Sequence, residues 1–109
     1  MEPIRMLYLE GESGKKYRFY SFPQFSRFKK AGGVYVLTNR IRDNKKLTHK
    51  VLDIGATEDL SSLNERFANS ADYSGIDANC VIVKIEDDHN TRQETFEDLR
   101  RKYLDSAAN

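Results

Sequence analysis

The chain reads as a single α/β (α+β) domain over residues 1–109: a small central antiparallel or mixed sheet flanked by helices, with an added hairpin at its N-terminal end. Three observations predict this. Short apolar runs bounded by Gly, Asn and Lys are sized as strands, and two later stretches repeat apolar residues every three or four positions, as helices do. No apolar run approaches the roughly 18 residues needed to cross a bilayer. A chain of 109 residues has room for one core and no second module.

The elements follow in order. Residues 4–9 alternate well enough for a first strand, 11–16 carry the turn formers Gly11, Ser13 and Gly14, and 17–20 read as a second strand, so the start is a hairpin. Pro23 and the aromatic-basic stretch 25–30 connect to a third strand, which opens at Gly32-Gly33-Val34-Tyr35 and ends near Asn39. A basic loop over 40–48 leads into the fourth strand, His49-Lys50-Val51-Leu52-Asp53-Ile54-Gly55. Thr57, or Ser61 and Ser62, caps a helix that carries Leu60, Leu63 and Phe67 on one face and ends near Asn69. Residues 70–77 have no sustained period and read as loop, and 78–85 form an apolar strand. After the acidic turn 86–90, Thr91 begins a last helix with Phe96, Leu99, Tyr103 and Leu104 on one side, and the tail from 105 frays.

Charge is distributed unevenly behind a net +1. Residues 27–50 hold eight Lys or Arg against one Asp, whereas 51–109 hold six against thirteen acidic residues. A basic segment supplies phosphate contacts, and the acidic remainder repels the same polyanion over a broad surface, so nucleic-acid binding is expected to be local and salt-sensitive. Arg40, Arg42, Lys45 and Lys46 in the 40–50 loop are the candidate nucleic-acid contacts, with solvation of an exposed loop as the alternative. Phe25 and Phe28 stand beside Arg27 and Lys29, where ring stacking on unpaired bases adds to phosphate contacts. The lone Cys80 has no partner for an internal disulfide and is expected to be a buried, inert thiol. The start lacks the basic head and long apolar run of a secretory signal, so the expectation is cytoplasmic, with no membrane partner.

The motifs Gly33-Val34-Tyr35 and Asp53-Ile54-Gly55, followed by Thr57-Glu58-Asp59-Leu60, resemble those of the GIY-YIG nuclease superfamily. Beyond them, Tyr17-Arg18-Phe19, His49-Lys50-Val51-Leu52, Ala78-Asn79-Cys80-Val81 and Arg92 four residues before Phe96 are similar to the small stand-alone bacterial GIY-YIG-like proteins, over most of the chain. The resemblance implies the GIY-YIG-like sheet and, for active members, phosphodiester hydrolysis by two motif tyrosines, an Arg and often a His on the first helix, and a metal-binding Glu on the last. Tyr35 matches the first tyrosine, and Asp53 stands at the second. The helical Arg aligns with Leu63 without a gap, which puts Phe67 at the His position, or with Arg66 if three residues are inserted. Periodicity favours the ungapped placement, because Leu60, Leu63 and Phe67 share one face. Phe96 occupies the metal-ligand position, and a phenyl ring cannot bind a hard cation.

With Tyr35 kept and Asp53, Leu63, Phe67 and Phe96 altered, the expectation is a pseudo-nuclease: a non-catalytic domain with no metal site and no cofactor. The three apolar replacements are expected to converge, as core filling or as a contact surface for a protein partner. Two alternatives stay open. One is a divergent magnesium-dependent endonuclease using Tyr35, Arg66 and a relocated carboxylate such as Glu94 or Glu97, and the other is a homodimer with Leu63, Phe67 and Phe96 at its seam.

Overall fold

Alternation at the start of the chain folds as a hairpin: β1 (Arg5–Glu10) pairs antiparallel with β2 (Lys16–Pro23), Tyr8 opposite Arg18. The connecting turn is closed by Gly11 N–H on Lys15 O at 2.8 Å and by Gly14, whose φ of 90° lies in the left-handed region that glycine tolerates. The computed structural model describes residues 5–23, 27–64 and 80–105.

The segment expected as a basic loop is instead strand. β3 (Gly33–Asp43) and β4 (Lys46–Thr57) continue to a two-residue turn at Asn44 and Lys45, with φ of 47° and 70°. Two positive-φ residues give the hairpin turn whose twist matches that of the strands, Asn enters that region readily, and Ile41 and Thr48 are good strand formers. β5 (Cys80–Ile85) lies on the other side of β3, and the sheet order is β1-β2-β5-β3-β4 with every neighbouring pair antiparallel. Because β5 pairs β3 only over residues 33–38, β3 and β4 past Thr38 form a two-stranded ribbon.

Period-two alternation divides the core into two layers. Leu9, Tyr17, Phe19, Val34, Val36, Ile54 and Ile82 point to one face and pack with Leu99, and Phe96, Tyr103 and Leu104 adjoin them. Leu37, Val81 and Val83 point to the other, under Leu60 and Leu63, with Phe22, Phe28 and Tyr35 at the margin.

The first face is covered by α1 (His89–Arg100), followed by a π-helical turn, Arg101–Asp105. α1 begins two residues before the expected Thr91 because Asp88 is its cap, accepting from Thr91 N–H at 2.9 Å and Thr91 Oγ at 2.7 Å. Its buried residues include Arg92, Thr95 and Asp98, which apolar periodicity does not anticipate. Asp98 accepts hydrogen bonds from Ser13 N–H (2.9 Å), Ser13 Oγ (2.7 Å) and Tyr17 Oη (2.8 Å), and its carbonyl accepts from Glu12 N–H at 3.1 Å. Burial pushes the Asp98 pKa up, but the Ser13 and Tyr17 bonds outweigh it and hold the carboxyl below the usual range. Burial and the Asp98 carboxylate push the Tyr17 phenol up to about 12. Gly11 belongs to the same knot, since a Cβ there would run into the Asp98 carboxylate. Arg92 fastens the other end of α1, donating to the carbonyls of Glu86 (3.2 Å) and Asp87 (3.3 Å).

On the second face a 3₁₀ turn, Leu60–Ser62, is capped by neither Thr57 nor a serine but by Asp59, which accepts from Ser61 N–H at 2.9 Å and Ser61 Oγ at 2.6 Å. Those bonds also hold the Asp59 pKa down. The expected continuation of this helix over 65–69, the loop 70–77, Ala78, Asn79 and the tail from 106 lie outside the described residues. Among the described residues no helix is long and apolar enough to cross a membrane.

Candidate functional site

Tyr35 and Asp53 share one face of the sheet. Tyr35 pairs with Gly55 and Leu37 with Asp53, so the tyrosine and the carboxylate are diagonal neighbours across β3 and β4. The Tyr35 ring lies over Gly55, where any Cβ would collide with it. Both residues are half-buried. Leu63 joins this face, only 2 % exposed and packed with Leu37, Leu60, Val81 and Val83. Asn64 draws the aromatic connection over the same cluster: its Oδ1 accepts from Phe28 N–H at 2.7 Å, and its Nδ2 donates to Phe28 O at 3.1 Å. Phe28 in turn meets Phe22 edge-on, with centroids 5.2 Å apart. The ungapped position for the family's helical Arg is thus a leucine inside an apolar cluster beside Tyr35.

The expected convergence of the apolar replacements does not hold for Leu63 and Phe96. Phe96 is half-buried on the opposite face, against the α1 layer, with the Arg100 guanidinium 6.0 Å from its ring centroid. The cause is the anchoring of α1 by Asp98 and Arg92, which seats the helix on the Val34 and Val36 side. Leu63 and Phe96 therefore do not share one surface of the chain. Phe67 and Arg66 lie outside the described residues. Glu94 is exposed and Glu97 pairs with Arg100 at 2.9 Å, both on α1 and so across the sheet from Tyr35. Among the described residues no three His, Cys, Asp or Glu gather as metal ligands, and the carboxylate diagonal to Tyr35 is that of Asp53.

The four basic candidates sit on the ribbon. Arg42, Lys45 and Lys46 are exposed and Arg40 half-buried, with Asp43 opposite Lys46. Alternation puts Arg40 and Arg42 on the α1 side of the ribbon, in line with Thr38 and His49, whose Oγ1 and Nδ1 are 2.9 Å apart. Burial, then Arg40 and Arg5, push the His49 pKa down. His89 is exposed, with Nδ1 3.3 Å from the Arg92 guanidinium. Cys80 is buried, as expected, and burial pushes its thiol pKa up.

A further group of residues escaped the sequence reading. On the Tyr35 side of the sheet, past the cover of Leu60 and Leu63, Tyr8, Tyr20 and Ile85 remain 53 %, 37 % and 49 % exposed. With Lys16, Arg18 and Lys84 they line an open concavity of about 500 Å³. A second, of about 330 Å³, continues from Ile85 to Phe22, Arg27, Phe28 and Lys29. The signal was present in β2, where Lys16, Arg18 and Tyr20 alternate with the buried Tyr17, Phe19 and Ser21. The chain matches no family model, no curated protein and no solved structure with which it was compared.

Proposed function

We infer that this chain is a non-catalytic domain of GIY-YIG-like build that binds nucleic acid without cutting it. One contrast carries the reading. Beside Tyr35, Leu60 and Leu63 are buried with Leu37, Val81 and Val83, whereas the cations Arg42, Lys45 and Lys46 stay in solvent on a two-stranded ribbon that extends past the third strand. Hydrolysis needs a base, a phosphate cation and a metal at one place, and Leu63, where the resemblance puts the helical Arg, is buried in an apolar cluster beside Tyr35. Binding needs only charge that can reach a backbone. A two-stranded ribbon has the width to enter a major groove, and its lysines would neutralise phosphates there.

Plasmid and single-stranded DNA incubated with the protein in magnesium or manganese are expected to remain intact. Robust cutting abolished by Tyr35→Phe would overturn the non-catalytic reading and restore the endonuclease alternative. In a salt series on a short duplex, Lys45→Glu with Lys46→Glu should flatten the log–log slope by about 2, one phosphate contact per lysine. An unchanged slope removes the ribbon from the interface. If neither duplex nor single strands bind at low salt, the partner is a protein.

A further inference from the structure

The geometry points to a second, separate surface that takes single-stranded nucleic acid: the bare part of the sheet bearing Tyr8, Arg18, Tyr20 and Ile85. It rests on the reading that this chain binds nucleic acid, and it assigns a site distinct from the ribbon. The two are far apart in the ladder. Ile85 pairs with Gly33 at one end of β3, and the ribbon turn follows Asp43 at the other. The bare surface is also on the face away from α1, whereas Arg40 and Arg42 point to the α1 side.

Three features favour a single strand as the occupant. The first is aromatic spacing. Tyr8 stands opposite Arg18, and Tyr20 is two residues along β2 on the same side, so the two tyrosines are diagonal neighbours whose backbone positions are about 7–8 Å apart by ladder geometry. Rings at such positions on an open antiparallel sheet are platforms on which successive unpaired bases stack. The second is the arginine beside Tyr8. Arg18 stands opposite Tyr8 on β2, two residues before Tyr20, with its guanidinium 6.0 Å from the centre of the Tyr8 ring. An arginine in that position packs against the Tyr8 ring and keeps a cation beside whatever stacks on it. The third is charge complementarity. Lys16 and Arg18 rim the first concavity, and Arg27 and Lys29 rim its continuation past Ile85. The acidic groups close by are already paired: Glu86 with Lys84, and Glu10 with Lys102, each at 3.4 Å. A duplex buries its bases and offers these rings nothing to stack on, so the selectivity follows from the rings.

The test is fluorescence anisotropy with a labelled oligothymidine, an oligouridine and a blunt duplex of equal length, using the full chain. Single strands should bind at least tenfold tighter than the duplex to a Lys45→Glu/Lys46→Glu protein. Tyr8→Ala and Tyr20→Ala should each weaken single-strand binding about tenfold, as loss of one base–aromatic stack does. Tyr8→Phe and Tyr20→Phe, which keep the rings, should stay within about threefold, and Arg18→Glu should weaken binding and flatten its salt slope. All five positions are exposed, and unchanged urea midpoints would establish that the variants remain folded. If single-strand binding survives both alanine substitutions but is lost in the Lys45→Glu/Lys46→Glu protein, this surface is wrong while the nucleic-acid reading stands. If neither single strands nor duplex bind, that reading falls and this surface with it.

Discussion

The two faces of the sheet are built from the same five strands, yet they are finished differently. On the α1 side Phe19, Val34, Val36 and Ile82 are sealed under a helix that polar knots lock at both ends. On the other side only the half over Leu37, Val81 and Val83 is sealed, and the half bearing Tyr8, Tyr20 and Ile85 is left in solvent. The sealed face accounts for stability. The half-open one has aromatic area to offer a partner, which a domain this small seldom leaves uncovered without use.

Truncation should separate the faces most sharply. Phe19→Ala is expected to cost roughly 3–5 kcal/mol and Leu63→Ala roughly 2–5, as large-to-small changes in packed cores do. Tyr8→Ala should stay within about 0.5 kcal/mol. Urea midpoints decide the matter: a Leu63→Ala cost below about 1 kcal/mol would mean that the half beside Tyr35 is not closed, and the non-catalytic reading would lose its support.

Next in size is the knot that seats α1. Asp98→Ala leaves Ser13 and the buried Tyr17 hydroxyl without their acceptor, and bonds to a charged partner are worth about 1.5–3 kcal/mol each, so a loss of roughly 3 kcal/mol is expected in the same denaturation assay. The sign in pH follows from the depressed carboxyl. Its contribution is present above the ordinary Asp value of 3.8 and is lost as pH falls through the lower folded value. An Asp98→Ala protein as stable as the parent at neutral pH would show that helix burial, not the knot, fixes which face α1 covers.

The smallest effect concerns the base of the ribbon. His49 titrates below its ordinary 6.5 in the folded chain, so the unfolded chain binds more protons on acidification. Stability is full above pH 6.5 and declines as pH falls through the folded value. His49→Gln should remove that decline and leave the neutral-pH midpoint nearly unchanged. The same acid slope in both proteins would place the titration elsewhere.

Much of this fold was legible in the sequence because it is local. The N-terminal hairpin, the two glycine-bearing strands, the strand ending at Ile85 and the last helix all follow from alternation, spacing and turn residues. The ribbon was misread as loop because lysines and arginines at alternate positions look solvated whether or not the backbone is paired. Site geometry was legible only within one hairpin. That Tyr35 and Asp53 share a face follows from strand parity. That Phe96 lies across the sheet depends on Asp98 meeting Ser13, a contact between residues 85 apart in sequence, and no apolar period encodes it. Tyr8 and Tyr20 went unnoticed because an exposed tyrosine in a strand scores the same as a buried one until its partner strand is known.

The ring of Tyr35 resting on Gly55 has a bearing on how such chains are sorted. A tyrosine in one strand and a glycine in the next form a single steric lock: a larger residue at 55 would displace the ring, and without the ring the glycine would leave a groove in the sheet surface. The lock works whether or not a phosphate ever arrives. Tyr35 and Gly55 can therefore be required by architecture alone, and a pattern search that counts such a pair measures how the hairpin is packed before it measures any chemistry.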